Sequence, residues 1–232
     1  MVLAAGLGTR MRAFNGRVPK PLVQVRGKAL LDYALDRLAE QGVERAVVNV
    51  HHLADQIERH LANRQRPQIV ISDERDELLG TAGGVIKAFP QLGHDPFFHV
   101  NSDTIWIDGA KSNLAALAAA FDQRRMDALL LVAATASSIG YVGQGDFTLA
   151  GDGRLTRRRE GELAPFVYAG AAILTRDFFS GVGSGPSSMS PLFDRAAQAG
   201  RLWGVPLEGV WMHVGTPEAV KAAETAMLAG TA

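Results

Sequence analysis

The sequence predicts an α/β fold in which helices cover both faces of a mostly parallel sheet. Short apolar segments alternate with segments whose apolar residues recur at helical spacing, which is typical of this class. Residues 128–133 are apolar without interruption, as expected for a strand that is buried on both faces. The chain has 232 residues, and 47% of them are hydrophobic, so it can bury a large core without disulfides or metal ions.

Strands and helices are predicted to alternate along the first half of the chain. The first strand is the short apolar stretch 1–6, and we expect a few residues of this strand to precede Met1. Three leucines of the segment 29–41 lie on one face of the first predicted helix. The other elements of this half are strands at 45–50, 68–72, 97–101 and 128–133 and helices at 53–61, 83–89 and 112–123.

Glycine, serine and threonine become frequent after residue 133, and the predicted strands become shorter. Residues 147–157 form a predicted β-hairpin around a Gly-Asp-Gly turn, and Thr216 is a good N-cap for the last helix. The remaining elements are strands at 166–173, 202–205 and 210–213 and helices at 192–199 and 217–228. Because no linker composition separates the halves, we predict one domain over residues 1–232, with a β-rich insertion beside the main sheet.

Composition disfavours several classes of protein. Lysine and arginine together number 24, as do aspartate and glutamate, so the chain lacks the positive charge of most nucleic-acid-binding proteins. No stretch approaches the roughly 20 apolar residues of a membrane span. The absence of cysteine excludes disulfides and thiolate metal sites. We therefore expect a cytoplasmic protein without a nucleic-acid or membrane partner, and its oligomeric state stays open.

An apolar strand runs directly into a glycine-rich turn at residues 3–12, which read Leu-Ala-Ala-Gly-Leu-Gly-Thr-Arg-Met-Arg. Glycines let the backbone approach an anion and present N–H donors to it, and Arg10 can bind phosphate oxygens through its guanidinium. Lys20 stands between two prolines on a predicted rigid, extended segment, which makes it a good point charge for a phosphate. Met11 replaces the third glycine of the dinucleotide fingerprint, and the Gly-Lys-Ser/Thr of a P-loop is absent. These residues therefore predict an anion site of another kind.

This turn, together with Pro-Lys-Pro-Leu at residues 19–22, closely resembles the sugar-1-phosphate nucleotidyltransferases. The resemblance continues along nearly the whole chain, through segments at 79–84, 101–103, 168–170 and 211–217. It implies a Rossmann-like three-layer α/β/α nucleotidyltransferase fold with a mostly parallel central sheet and a small β-rich sugar-binding insertion. Residues 1–133 would then form the nucleotide-binding half, and residues 134–232 would form the sugar-binding half with the C-terminal helix.

The resemblance also implies a reaction, in which an oxygen of a sugar 1-phosphate attacks the α-phosphate of a nucleoside triphosphate and displaces pyrophosphate. Such a transfer needs alignment and neutralisation of charge more than covalent help from the protein. Within the family, the resemblance favours UTP as the donor and N-acetylmuramate 1-phosphate as the acceptor. Guanylyl transfer to mannose or heptose 1-phosphate comes next, and thymidylyl transfer to another sugar 1-phosphate is a further alternative.

The resemblance implies a role for each part of these motifs. Arg10 would hold the phosphates of the leaving group, Lys20 would extend toward the α-phosphate or the sugar phosphate, and Asp103 would hold a metal ion. The implied nucleotide-binding residues are Leu3, Ala4, Ala5, Gly6, Gly8, Thr9, Gly80, Thr81, Gly83 and Gly84. For the glycine-rich segment 80–84, the alternative is a tight strand-to-helix turn without a ligand.

Asp103 and His213 are the implied metal ligands. Asp103 follows a predicted strand, and ligands gather at the carboxyl ends of strands in open α/β sheets. A carboxylate there suits Mg²⁺, whereas the alternative is an aspartate that caps a turn. The family has an aspartate at the position of His213, and the softer imidazole suits Mn²⁺ better than Mg²⁺. Three interpretations of His213 stay open: it binds the metal ion with an altered preference, it bonds a phosphate oxygen, or it leaves the site inactive.

The sugar-binding residues that the resemblance implies are Tyr168, Ala169 and Gly170. Tyr168 would shape the sugar pocket and Gly170 would leave room for the sugar, whereas the alternative interpretation assigns all three to the core of the sheet. The Glu-Lys-Pro that the family has near this point is missing, and three arginines at 157–159 precede the strand instead. One of these arginines could replace the missing phosphate-binding lysine, but such a basic run is usually a solvated hairpin edge.

Two other functional classes stay open beside the enzyme. A relative without its second carboxylate could bind a nucleotide or nucleotide sugar and regulate a partner, and His213 is the residue that discriminates this class from the enzyme. A dinucleotide-dependent oxidoreductase is disfavoured because the third glycine is missing and Lys20 follows.

Overall fold

A computed structural model describes residues 1–9, 11, 17–93 and 96–229 of the chain. The strands are β1 (Val2–Leu3), β2 (Gln24–Val25), β3 (Lys28–Ala29), β4 (Arg45–Val50), β5 (Gln68–Asp73), β6 (Phe97–Asn101), β7 (Thr104–Asp108), β8 (Ala128–Ala134), β9 (Phe147–Leu149), β10 (Leu155–Arg157), β11 (Phe166–Leu174), β12 (Leu202–Pro206) and β13 (Gly209–His213). The α-helices are α1 (Leu30–Glu40), α2 (Ala54–Leu61), α3 (Gly80–Leu92), α4 (Asn113–Ala120), α5 (Ser190–Gln198) and α6 (Pro217–Ala229). Every strand and helix predicted from the sequence is present, and no boundary differs by more than three residues.

β1 lies inside a nine-stranded sheet. It pairs in parallel with β4 on one side and with β6 on the other, so that Val2 is opposite both Val48 and Val100. β5 extends this parallel part beyond β4. The carboxyl ends of β1, β4, β5 and β6 therefore meet at one edge of the sheet, where ligands of open α/β folds usually bind.

The second half of the chain extends the same sheet. β11 lies between β6 and β8 and is antiparallel to both strands. β12 pairs in parallel with β8, and the hairpin of β9 and β10 joins the sheet where Phe147 is opposite Phe166. The β-rich half that the sequence predicted is thus continuous with the parallel part.

Two small antiparallel sheets were not predicted. One pairs β2 with β3, and the other pairs β7 with β13. β2 and β3 have two residues each, too few for a period-2 pattern to be recognised. β7 begins only three residues after β6 ends, so its apolar residues follow those of β6 almost without interruption.

Hydrophobic clusters cover both faces of the nine-stranded sheet, so the predicted layers are present. Val48 and Val50 of β4 belong to one cluster together with leucines of α1 and α4, whereas Val47 belongs to the other, with residues of α3 and α5. A third cluster joins β2, β7 and β13 to α6. Within the described part of the chain, no helix is long and apolar enough to cross a membrane.

Candidate functional site

The carboxyl ends of β1 and β6 open into a cavity of about 340 Å³, called the first cavity below. Its walls come from the turn after β1, the segment around Lys20, the start of α3 and the residues that follow β6. The predicted nucleotide-binding residues that line it are Leu3, Ala4, Ala5, Gly6, Gly8, Thr9, Gly80 and Thr81. Lys20 and Asp103 line it as well, and Arg10 lies outside the described residues.

Lys20 and Asp103 form an ion pair in the first cavity. Lys20 Nζ lies 2.8 Å from Asp103 Oδ2, and the two side chains are 13% and 30% exposed, so both are shielded yet open to a ligand. Gly8 lies against the same lysine, because a Cβ atom at Gly8 would come within 3.0 Å of Lys20 Cβ. The glycine turn, the cation and the carboxylate therefore share one cavity, although Lys20 and Asp103 are 83 positions apart in the sequence.

The backbone at Lys20 forms a single 3₁₀ turn over Lys20–Leu22. Pro19 precedes it in an extended conformation, with φ −65° and ψ 143°, and Val23 N–H donates to the Lys20 carbonyl oxygen at 3.1 Å. The prediction of an extended segment through Lys20 was therefore wrong beyond Pro19. The two prolines still restrict the backbone on either side, which limits the directions available to the lysine side chain.

A buried polar network connects two walls of the first cavity. Ala4 N–H donates to Asn49 Oδ1 at 2.7 Å, and Asn49 Nδ2 donates to Glu74 Oε1 at 2.7 Å. Glu74 Oε2 accepts a hydrogen bond from Leu79 N–H at 3.1 Å, one residue before α3. Glu74 is fully buried and Asn49 is 2% exposed. Glu74 and Asn49 thus hold the turn after β1 and the start of α3 at a defined separation.

Sequence reasoning missed Asn49 and Glu74. Asn49 is a polar residue near the carboxyl end of an otherwise apolar strand, and Glu74 directly follows the next strand. Because the carboxyl ends of parallel strands meet at one edge, this pattern was a usable signal for residues near the site.

We expect Glu74→Gln to lower the free energy of unfolding by about 1–3 kcal/mol. The side-chain NH₂ of the glutamine would replace a carboxylate oxygen that now accepts a hydrogen bond, so two donors would face each other at Asn49 or at Leu79. Urea denaturation measures this difference. Glu77→Gln is the matched control, since Glu77 lies three residues away and its side chain is exposed. A Glu74→Gln protein that is as stable as the control would contradict the structural role of the network.

Gly83 and Gly84 are the fourth and fifth residues of α3, which begins at Gly80, three residues before the predicted start. A Cβ atom at Gly84 would lie 2.7 Å from Glu74 Oε1, and one at Gly83 would overlap the Gly185 carbonyl oxygen. Neither glycine lines the first cavity. Close packing therefore explains these two glycines, whereas Gly80 of the same segment lines the cavity.

The amides at the start of α3 are already bonded within the protein. Ala82 N–H and Gly83 N–H donate to the carbonyl oxygen of Ser187, at 3.0 and 3.4 Å. Ser187 N–H in turn donates to the Leu79 carbonyl oxygen at 2.9 Å. The loop around Ser187 thus accepts hydrogen bonds from these first amides of α3, and Gly80 and Thr81 are the residues of segment 80–84 that line the first cavity.

A second cavity of about 240 Å³ adjoins the first, since Leu3, Thr81 and Asn101 line both. Tyr168 lines this second cavity, and its Oη lies 3.0 Å from His99 Nδ1. Burial lowers the pKa of His99 to about 3 and raises the pKa of Tyr168 above its usual range. Both side chains are therefore neutral at physiological pH. His99 Nε2 is buried without a hydrogen-bond partner among the described residues.

The two residues after Tyr168 do not line either cavity. Ala169 is fully buried, and its carbonyl oxygen accepts a hydrogen bond from Trp211 Nε1 at 2.9 Å. Gly170 has a φ of +85°, and a Cβ atom there would lie 2.7 Å from Thr104 Oγ1. Packing of β11 against β7 and β13 therefore explains Ala169 and Gly170, and Tyr168 is the predicted sugar-binding residue that reaches a cavity.

His213 ends β13 and pairs with Thr104, the residue that follows Asp103. Its imidazole ring is parallel to the Trp211 ring within 3°, with the ring centroids 5.9 Å apart. A Cβ atom at Gly215, which lines the first cavity, would lie 3.0 Å from His213 Cε1. The imidazole therefore lies beside the rim of the first cavity, on the strand that pairs with the segment after Asp103.

The donor atoms of the first cavity suit a hard cation that is shared with phosphates. No cluster of three or more His, Cys, Asp or Glu side chains within the described residues could hold a metal ion. Asp103 nevertheless offers a partly exposed carboxylate in the cavity. Mg²⁺ usually binds through one or two carboxylates and takes its other ligands from water and substrate phosphates. A single partly exposed carboxylate in the cavity is consistent with this pattern.

Comparison with known proteins gives a family match and near full-length relatives. Residues 1–174 match the family model described as the MobA-like NTP transferase domain. The N-acetylmuramate alpha-1-phosphate uridylyltransferase of Caulobacter vibrioides is 49% identical over 97% of this chain and 94% of that protein. A protein with the same description from Neisseria meningitidis serogroup B is 32% identical over 97% of this chain and 96% of its own length.

Solved structures show the same fold. The inositol-1-phosphate CTP transferase from T. maritima superposes with a TM-score of 0.74 and covers 96% of this chain and 94% of that one. Its sequence identity is 20%, so the likeness concerns the fold alone. The predicted Rossmann-like α/β architecture is thereby confirmed.

Proposed function

Because the chain belongs to the MobA-like NTP transferase family, we propose that it transfers uridine monophosphate from UTP to N-acetylmuramate 1-phosphate. Two relatives that cover nearly the whole chain are described as enzymes with this activity. The single observation that carries the proposal is the first cavity, where Lys20 and Asp103 lie 2.8 Å apart beside the glycine turn. A cation, a carboxylate and backbone amides in one cleft are the groups that a triphosphate and its metal ion require.

In this proposal UTP occupies the first cavity and the sugar occupies the second. The two cavities share Leu3, Thr81 and Asn101, so the α-phosphate and the sugar 1-phosphate would meet at this junction. Residues 1–133 supply nearly all of the first cavity, and residues 134–232 supply Tyr168 and its neighbours in the second. This arrangement supports the division into a nucleotide-binding half and a sugar-binding half within one domain.

The reaction that we propose is a single displacement at the α-phosphorus. An oxygen of the sugar phosphate forms a bond to this phosphorus, the bond to the oxygen that bridges to the β-phosphate breaks, and its electron pair leaves with pyrophosphate. Lys20 Nζ neutralises negative charge on the phosphates, and the turn after β1 aligns them through its backbone amides. Mg²⁺ bound by Asp103 and the phosphates would supply further neutralisation of charge.

A pyrophosphate-release assay tests the substrate pair. UTP, GTP and dTTP are each combined with N-acetylmuramate 1-phosphate, N-acetylglucosamine 1-phosphate and mannose 1-phosphate, first with Mg²⁺ and then with Mn²⁺. The proposal expects the largest kcat/KM for UTP with N-acetylmuramate 1-phosphate. A larger value for another pair would overturn the substrate assignment. Binding of UTP without pyrophosphate release from any pair would instead indicate a nucleotide-binding regulatory protein.

We expect His213→Asp to retain activity with Mg²⁺ and to raise the ratio of its rate with Mg²⁺ to its rate with Mn²⁺ by about tenfold. The reason is that a carboxylate at this rim position is a harder donor than imidazole and adds a negative charge. His52→Asp is the matched control, because His52 lines neither cavity. An unchanged metal ratio in His213→Asp would show that residue 213 does not act on the cation.

A further inference from the structure

Arg157 of the basic run 157–159 lies on the wall of the second cavity. It ends β10, its side chain is 29% exposed, and its guanidinium lies 5.0 Å from the centroid of the Phe147 ring. Arg158, by contrast, donates to the carbonyl oxygens of Gly145 and Glu162, which flank the hairpin. Arg157 thus lies on the edge strand of the sheet, as expected for this basic run, and also lines a cavity. The pairing of β10 with β9 and of β9 with β11 places it there.

The guanidinium of Arg157 has hydrogen-bonding capacity left. Its Nε donates to Asp194 Oδ1 at 2.8 Å, and its Nη2 donates to Ser190 Oγ at 3.0 Å. A guanidinium carries five N–H donors, and the described residues accept from no others of Arg157. The two bonds fix the plane of the group, so the remaining donors are presented in a defined direction.

Arg157 is the one lysine or arginine among the described residues that line the second cavity. Asp146 is the one carboxylate there, and its Oδ2 accepts a hydrogen bond from Tyr168 N–H at 2.9 Å. His99 and Tyr168 add no charge, because burial keeps both in their neutral forms. A negatively charged group on a sugar in this cavity would thus have one cation to bind.

We infer that Arg157 selects the acceptor by binding a carboxylate on the sugar, an inference that rests on the proposed function. N-acetylmuramate differs from N-acetylglucosamine by a lactyl ether on O3, which ends in a carboxylate. The planar fork of an arginine matches a carboxylate and binds it through charge-assisted hydrogen bonds. In this assignment Arg157 determines specificity for the sugar, whereas Lys20 and Asp103 act on the phosphates in the first cavity.

The test compares two acceptors that differ in this one group. For Arg157→Gln we expect kcat/KM for N-acetylmuramate 1-phosphate to fall by about ten- to a hundredfold, mainly through the KM of the sugar. For N-acetylglucosamine 1-phosphate, the expected change in kcat/KM, or in the inhibition constant where its turnover is slow, is less than about threefold. The KM for UTP should stay unchanged. Equal losses with both acceptors would overturn the inference and assign Arg157 to a group common to both sugars.

Two control variants separate recognition from folding. Arg154→Gln alters an exposed arginine of the same hairpin that pairs with Asp152, and it should leave both acceptors unaffected. Asp194→Asn removes the ion-pair partner but leaves the guanidinium, so it should keep the preference for the carboxylated sugar. A selective loss in Arg154→Gln equal to that in Arg157→Gln would overturn the inference, because Arg154 does not line the second cavity. If the wild-type protein uses neither acceptor, the proposed function itself fails, which is a different result from equal losses in an active enzyme.

Discussion

Asp103→Asn is expected to reduce kcat for pyrophosphate release by at least about a hundredfold. The asparagine has nearly the same shape but lacks the negative charge that would hold a divalent cation against the phosphates. The loss should therefore be confined to turnover. Binding of UTP without divalent cations should be equal or tighter, because one negative charge near the triphosphate has been removed. Steady-state kinetics and calorimetric titration of UTP in the presence of a chelator measure the two quantities.

Asp152→Asn provides the comparison for this variant. Asp152 is an exposed aspartate in a hairpin turn, pairs with Arg154 and lines neither cavity. Its replacement removes the same charge from the chain without changing the first cavity. If Asp103→Asn keeps a kcat within about threefold of the Asp152→Asn value, the carboxylate has no part in turnover.

Lys20→Met is expected to lower kcat/KM for UTP by about a hundredfold. Methionine fills a similar volume, but the cation that would neutralise the phosphates is gone. The 13% exposed lysine also shields the charge of Asp103, so its loss leaves a carboxylate facing the triphosphate. Both effects weaken binding and turnover together, so we expect KM to rise and kcat to fall.

Lys28→Met is the matched control for Lys20→Met, because Lys28 forms an ion pair with Asp36 and its side chain is 39% exposed. An equal effect of the two substitutions would contradict a role for Lys20.

The double variant Lys20→Met with Asp103→Asn adds a further test. Because the two side chains contact each other, their losses should not add, and the double variant should be little worse than the worse single variant.

Strand and helix positions were largely predictable because periodicity is a local property. The apolar runs that form β8 and β4 indicate burial directly, and the predicted boundaries of both strands agree with the structure within one residue. The start of helix α3 was harder to predict, because Gly80 lowers the helix propensity of the residues before position 83, where the predicted helix began. Hydrogen bonds from Ala82 N–H and Gly83 N–H to the distant Ser187 carbonyl oxygen hold this start of the helix.

The sequence predicted the surroundings of some motif residues of the candidate site but not of others. The turn after β1 was predictable because glycines that directly follow an apolar strand indicate a turn from neighbouring residues alone. Tyr168 and Gly170 belong to one short motif and would share a face of a regular strand. They nevertheless have different surroundings, because the register shifts between Tyr168 and Ala172 and Gly170 has a φ of +85°. No pattern in the sequence predicts that shift of register.

The amino-acid sequence by itself determined the α/β class, the order of the strands and helices along the chain, and the two short segments that carry Lys20 and Asp103. These features depend on residues that are neighbours in the chain. Tertiary structure alone decided that Lys20 Nζ meets Asp103 Oδ2 and that Asn49 and Glu74 are buried together. It also decided that Arg157 lines the second cavity. Such contacts depend on which strands pair, and strand pairing joins residues far apart in sequence, so no local pattern encodes it.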